Sequence, residues 1–462
     1  MPVLDFILEI FKIPALVLGI VALVGLAVQR KSGTQIFAGT VKTALGLLII
    51  SGGVGILINA ILPLVFLFEP VTGLKGFATG SEVITGAMSA GVADIGSASA
   101  VIMGVGFLVN VVLARFTPLK YVFLTGHHMW MSSVLVAYVL YSAKFSWALM
   151  VVIGSVLQGA LACLLPSISQ PLVRKVTGSN DFALAHLTTL GTVPAGWLGK
   201  VGNKEKSTED MKLPKGLAFF KDTAVAISVV MLFFYLVLYL IAGPGQVHDV
   251  LTEFGMDGGH NYILDAILNA LGFAAGVLVL LQGVRMFLGE LVPAFKGISD
   301  KLVPNAIPAL DVPAIFGFAP NALMVGFITA TGGMLVGMAA SSALFGVVPF
   351  VSIIGAFFTG GVAGIFGNAT GGRVGAIVAG AFYGFFLIVM SGLTYKVFDH
   401  FAEVGAEGTG HDCVDAMFTM LAFKVPVVGF IVLIAAFVGM SMVELRYQKG
   451  VKALADKAPT AA

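Results

Sequence analysis

Long apolar runs separated by short polar stretches dominate the 462-residue chain. Ile13–Val28, Thr223–Ala242, Ala266–Leu281 and Val425–Val443 are long enough, with their flanks, to cross roughly 30 Å of hydrocarbon. The pattern predicts spans at about 13–28, 38–62, 98–114, 121–141, 146–165, 222–243, 263–287, 321–341, 345–366, 374–394 and 425–444. About eleven spans place the two termini on opposite sides of a membrane, and the expected fold is an all-α polytopic membrane protein. Val3–Lys12 is short and carries Asp5, Glu9 and Lys12, which predicts a surface helix before the first span rather than a cleaved leader.

Composition sharpens this picture. Hydrophobic residues make up 58% and charged residues 11%, against about 45–50% and 25% in soluble domains. The 58 glycines suit close helix packing and interrupted segments better than lipid-facing surface. The net charge of +2 is spread over many loops and offers no nucleic-acid surface. Cys163 and Cys413 lie far apart and suggest neither a disulfide framework nor a metal knuckle. With the N-terminus outside, the inner loops hold 20 Lys and Arg and the outer loops 5, while Lys42 falls within a span. The positive-inside bias therefore predicts N-out and C-in. The longest loop, Ser167–Lys221, is basic and cytoplasmic; Phe182–Leu198 within it is apolar enough to return toward the membrane, while Gly199–Lys215 is solvated. Asp399–Asp415 reads as an acidic outer loop, and Tyr447–Ala462 as a frayed helix end.

Two regions do not read as simple spans. Thr72–Ile95 is too polar and Gly-rich to cross alone, and about 303–320 contains Pro308, Pro313 and a carboxylate, Asp311, just ahead of Pro320. A faint repeat links them. Gly53-Val54 followed by Pro63 matches Gly283-Val284 followed by Pro293, and the same offset sets Ser81 on Asp311. The second and seventh spans run in opposite directions, so the repeat reads as inverted. The expected organisation is a first half over 1–221, an inverted second half over 222–424, and a last span with its tail over 425–462. In such folds the substrate sits on the discontinuous segments, here those carrying Ser81-Glu82 and Asp311.

Candidate chemistry gathers at four places. Glu82 and Asp311 are carboxylates on interrupted apolar backbone, where an unpaired charge is costly and a polar ligand or partner is expected; the alternative is that one caps a short helix. His127 and His128, in LTGHHMWM, suit hydroxyl-rich ligands because imidazole both donates and accepts; being adjacent, they point to different helix faces, so one is expected to face the site. His186 lies in the apolar part of the long loop, where a lone histidine is more often structural. Phe366–Arg373 reads as a flexible cytoplasmic turn. It has no GxxxxGK[ST] frame, and none occurs elsewhere, which excludes ATP-driven transport by this chain alone. No HExxH, CxxC or GxSxG motif supports metal or hydrolase chemistry, and no cofactor is expected. A proton-coupled secondary transporter with Asp311 or Glu82 as proton carrier is the alternative to the reading below. A receptor or scaffold is disfavoured, because no stretch is long enough for a soluble output domain.

LTGHHMWM (124–131), STEDMKLPKGL (207–217), QGVRMFLGELVPAFKGISDKLVP (282–304) and ALDVPAIFGFAPNA (309–322) closely resemble the membrane IIC component of ascorbate-type phosphoenolpyruvate-dependent phosphotransferase systems. The likeness runs in order over nearly the whole chain. It implies a homodimer in the bacterial cytoplasmic membrane, with a ligand-carrying core domain and a V-shaped scaffold. It also implies cytoplasmic IIA and IIB partners that deliver phosphate to the sugar, with no phosphorylated residue in this chain. Carried over by position, the family's L-ascorbate contacts fall on Ser81, Glu82, His127, His128, Met129, Trp130, Met131, His186, Leu187 and Asp311. The resemblance also marks departures: the family's ascorbate members have Thr-Tyr at Ser81-Glu82, Gln at Met131 and Gln at Leu187. A related sugar acid or polyol is therefore a second candidate substrate.

Overall fold

The computed structural model describes residues 14–77, 79–211, 223–397 and 425–455. The surface helix expected at Val3–Lys12, the acidic loop Asp399–Asp415, Cys413 and the end of the tail lie outside the described residues.

In chain order the main elements are α1 (Pro14–Val28), α2 (Gly33–Thr72), β1 (Lys75–Phe77), α3 (Ser81–Gly91), α4 (Ala93–Phe116), β2 (Tyr121–Phe123), α5 (Gly126–Ser142) and α6 (Trp147–Thr177). They continue with β3 (Ala183–Leu184), α7 (Thr189–Leu198), α8 (Thr223–Glu253), α9 (Tyr262–Leu302), β4 (Ile307–Leu310), α10 (Pro320–Phe345), β5 (Val347–Pro349), α11 (Gly361–Val397) and α12 (Pro426–Ala455). Among the described residues, seven helices are long and apolar enough to cross a membrane. The chain is a mostly helical, multi-pass membrane protein.

Several boundaries are written in the sequence. Ser32 Oγ accepts from the Gln35 N–H at 3.4 Å, Gln35 Oε1 accepts from the Ser32 N–H at 3.1 Å, and this capping box starts α2. Gly73 ends α2 in the left-handed region, and Gly178 ends α6 in the same way. α10 and α11 pack along each other through small residues: a Cβ at Gly333 would strike the Ala381 carbonyl, and one at Gly384 the Ala330 carbonyl.

Both irregular regions contain strands. β1 pairs in parallel with β5, and β4 lies between β2 and β3 in a second parallel sheet. Proline seldom sits in a strand flanked on both sides, yet Pro308 is part of β4. The ladder explains it. Ile307 donates to Lys120 O at 2.8 Å and Ala309 O accepts from Leu124 at 2.9 Å, so the odd residues of β4 face β2. Pro308 faces the β3 side, and β3 pairs only with Ala309 and Leu310. The missing N–H falls where no partner strand is present.

The turn expected at Phe366–Arg373 is present: α11 comprises two helical arms that fold back on each other, so that a Cβ at Gly367 would strike Gly375 O and the Ala379 Cβ. Gly371 and Gly372 leave helical values, Gly372 at φ 62° and ψ −147°. The loop after α7 packs on this turn: Arg373 Nε donates to Ser207 O at 2.9 Å, and Asn368 Oδ1 accepts from the Thr208 N–H at 2.9 Å. The same loop places Glu209 on the start of α10, where its carboxylate accepts from Ala322 N–H at 2.9 Å and Asn321 N–H at 3.2 Å. The span expected at 345–366 likewise begins as strand β5 before its helix.

α12 is largely exposed within the protein, with Phe430, Leu433, Phe437 and Met440 packed against the core and a polar anchor at Glu444. Glu444, 5% exposed, meets Arg174 Nη2 at 3.2 Å and accepts from Tyr121 OH at 3.0 Å. Two fold-level outcomes follow. Gly372→Ala places a Cβ at positive φ against the Asn203 and Lys206 carbonyls; a loss of about 2 kcal/mol or more is expected in thermal unfolding, and an unchanged melting temperature would refute the turn's dependence on glycine. Glu444→Ala strands the Arg174 charge and should cost roughly 3 kcal/mol, whereas Arg174→Met with Glu444→Leu should recover most of that loss.

Candidate functional site

The three strands of the β2–β4–β3 sheet run in the same direction and release their chains at the same end. Past β2 come Leu124, Thr125 and then His127 and His128; past β3 comes His186; past β4 comes Asp311. Parallel strands that end together bring residues far apart in sequence to one place.

The side chains meet there. His127 Nε2 lies 3.8 Å from Asp311 Oδ2, and His128 Nε2 lies 3.8 Å from Asp311 Oδ1. The expectation that one histidine of the pair faces the site is corrected: both reach the carboxylate, because Asp311 offers one oxygen to each ring from beyond the first turn of α5. The His128 and His186 rings meet edge-on with centroids 3.9 Å apart, and His186 Nδ1 shares a 2.8 Å hydrogen bond with Thr188 Oγ1. The lone histidine of the long loop thus joins the cluster. His128 is fully buried, while Asp311 keeps 28% of its side chain exposed and marks the open side.

Asp311 is oriented by its own backbone, since Oδ1 accepts from the Val312 N–H at 2.7 Å. Both histidine–carboxylate distances exceed hydrogen-bond length yet are too short to admit an oxygen in line, so a hydroxyl or water oxygen that bonds both groups lies beside the pair. Nearby, His127 Nδ1, Thr125 Oγ1 and Trp130 Nε1 are buried and have no hydrogen-bond partner among the described residues. Buried donors and acceptors of this kind call for a polar ligand or water. Met129, Trp130, Met131 and Leu187 are buried beside the cluster. His127, His128 and Asp311 could also hold a metal ion, their ligand atoms lying within 4.8 Å of one another.

Ser81 is fully buried at the first position of α3, where its carbonyl accepts from Thr85 Oγ1 at 2.7 Å, and α3 packs on α5. The side chain of Glu82 lies outside the described residues. Sequence reasoning missed Gln158, which donates to Met129 O at 3.2 Å and to Ser132 Oγ at 2.7 Å and so holds the first turns of α5. Its signal was present: a buried amide in an apolar span needs partners.

Residues 9–412 match the family described as EIIC-GAT, PTS system sugar-specific permease component. The chain belongs to that family. A curated relative, the ascorbate-specific PTS system EIIC component of Mycoplasma pneumoniae, is 28% identical over 427 aligned residues, covering 82% of this chain. The chain spans 64% of that relative's length. Membership in the EIIC-GAT family confirms the resemblance read from the sequence and does not favour the proton-coupled alternative.

Proposed function

We propose that this EIIC-GAT member takes up L-ascorbate, or a closely related sugar acid, through the bacterial cytoplasmic membrane. The observation that carries the reading is the convergence of His127 and His128 on Asp311, with the His186 ring against His128, at the ends of three parallel strands. Three imidazoles that donate or accept and a carboxylate that accepts match a hydroxyl-rich ligand. α5 and α7 both begin within a few residues of these strand ends, and neither start has a side-chain cap. Uncapped helix starts carry partial positive charge and favour an anion. L-ascorbate, an enediol lactone that is anionic at neutral pH, answers both demands.

An inverted repeat, five spans in each half with an eleventh added, is supported by the strand pairing. Exchanging β1 with β4 and β2 with β5 turns the β1–β5 pair into the β4–β2 pair, as a two-fold relation between the halves requires. In the proposed mechanism a core domain carries the ligand past a V-shaped scaffold in a homodimer, with the N-terminus outside and the C-terminus cytoplasmic. IIB, supplied with phosphate by IIA, phosphorylates the sugar on the cytoplasmic side and traps it. Ser81 and Glu82 complete the site from the first half.

The test is binding of L-ascorbate, neutral pentitols and hexitols, and other sugar acids to purified protein. L-ascorbate or another sugar acid is expected to outrank every neutral polyol; a polyol that binds tighter would refute the anionic reading. Asp311→Asn should weaken binding by about 100-fold or more while the protein stays folded, and unchanged affinity would remove Asp311 from the site. Met131→Gln, which restores an amide found in the ascorbate pattern, should tighten L-ascorbate binding about tenfold; weaker binding would point to a different substrate.

A further inference from the structure

We infer that Asn110 is a positioning residue for the ligand site, standing in for a missing neighbour strand on the open edge of β2. The inference rests on the transport reading only for what the site holds, not for how the site is held.

The ladder dictates what β2 lacks. Lys120 O and Leu124 N–H bond β4, so the even residues of this segment face the sheet and the odd ones face away. Tyr121 O and Phe123 N–H therefore point out of the open edge. A buried strand edge with unpaired groups is costly in a membrane protein, where no water reaches the interior. Asn110, fully buried on α4, meets both groups: Nδ2 donates to Tyr121 O at 3.1 Å, and Oδ1 accepts from the Phe123 N–H at 3.0 Å. These are the two bonds that a residue of a parallel strand would make opposite Val122. The second hydrogen of Nδ2 points to Cys163 Sγ at 3.0 Å. The donor and acceptor ends of the amide are fixed by their partners, because only oxygen can take the Phe123 N–H.

Outward groups of β3 and β5 are met by helix side chains too. β3 turns Phe182 O and Leu184 O outward, and α6 supplies Gln170 Nε2 at 3.1 Å and Ser169 Oγ at 3.5 Å. β5 turns out Val347 O, which takes the Ser341 hydroxyl of α10 at 2.9 Å, and Pro349, which has no N–H to satisfy. Asn110 differs in its consequence. Phe123 lies four residues before His127, so the register that Asn110 holds sets where both rings stand relative to Asp311. One residue of slip moves a strand by about 3.3 Å, which is enough to part the rings from the carboxylate.

Two variants and two readouts test the inference. In Asn110→Ala, hydrogen–deuterium exchange of the ligand-free protein should accelerate within 119–131 and little elsewhere, and L-ascorbate affinity should fall roughly tenfold. Asn110→Asp separates positioning from bulk stability. Its protonated carboxyl keeps one donor for Tyr121 O and one acceptor for Phe123 N–H. The ionised carboxylate has no donor. Affinity relative to the wild type should therefore be near normal at low pH and decline as rising pH ionises the group. Unchanged exchange over 119–131 in Asn110→Ala, or an Asn110→Asp profile that tracks the wild type at every pH, would overturn the inference. Failure of the wild type to bind L-ascorbate would contradict the transport reading alone, and the exchange measurement would still decide the case for Asn110.

Discussion

Every backbone donor and acceptor inside this protein must find a partner, because neither hydrocarbon nor the packed interior supplies water to replace one. A helix meets the demand within itself. Short strands do not, and the described residues hold five of them, β2 and β5 buried along their whole length. Their inner edges pair with one another. On β2, β3 and β5, outward groups are met by side chains from neighbouring helices: Asn110 on β2, Ser169 and Gln170 on β3, and Ser341 on β5. Interrupted backbone is what allows polar chemistry at this depth, and those helix side chains are what allow the interruption.

The consequence for function is geometric. A helix presents its side chains around a cylinder, whereas parallel strands that end together present the residues after them at one level. His127 and His128, His186, and Asp311 come from three distant stretches of the chain and meet because β2, β3 and β4 end side by side. The site is also ringed by groups that fix it: Gln158 on the first turns of α5, Thr188 on the His186 ring, and the Val312 N–H on Asp311. Glu444 and Arg174 add a buried ion pair at the Tyr121 hydroxyl, which ties the last helix to the base of the same sheet.

Much of this was legible in the sequence. Apolar length gave the membrane character, and prolines around a lone carboxylate pointed to a broken segment at Asp311. The local likeness around LTGHHMWM and ALDVPAIFGFAPNA gave the family. The strands were not legible, because two to four residues are too few for an alternating pattern to show. Without them, adjacency argued that one of His127 and His128 would turn away, and the sheet brought both to the carboxylate. The turn between the two arms of α11 was legible from its glycines, but its tight packing was not, because glycine marks flexibility and close backbone contact alike; the Ser207 and Asn203 carbonyl neighbours show the latter. Asn110 was passed over as one polar residue in an apolar span, although burial of an amide is itself a signal.

The most direct measurement of the central claim is an experimental structure of the purified protein determined with L-ascorbate. Ligand oxygens are expected against Asp311 and the His127 and His128 rings, with the ring of the sugar acid toward the starts of α5 and α7. Ligand density seated away from Asp311 and all three histidines would contradict it.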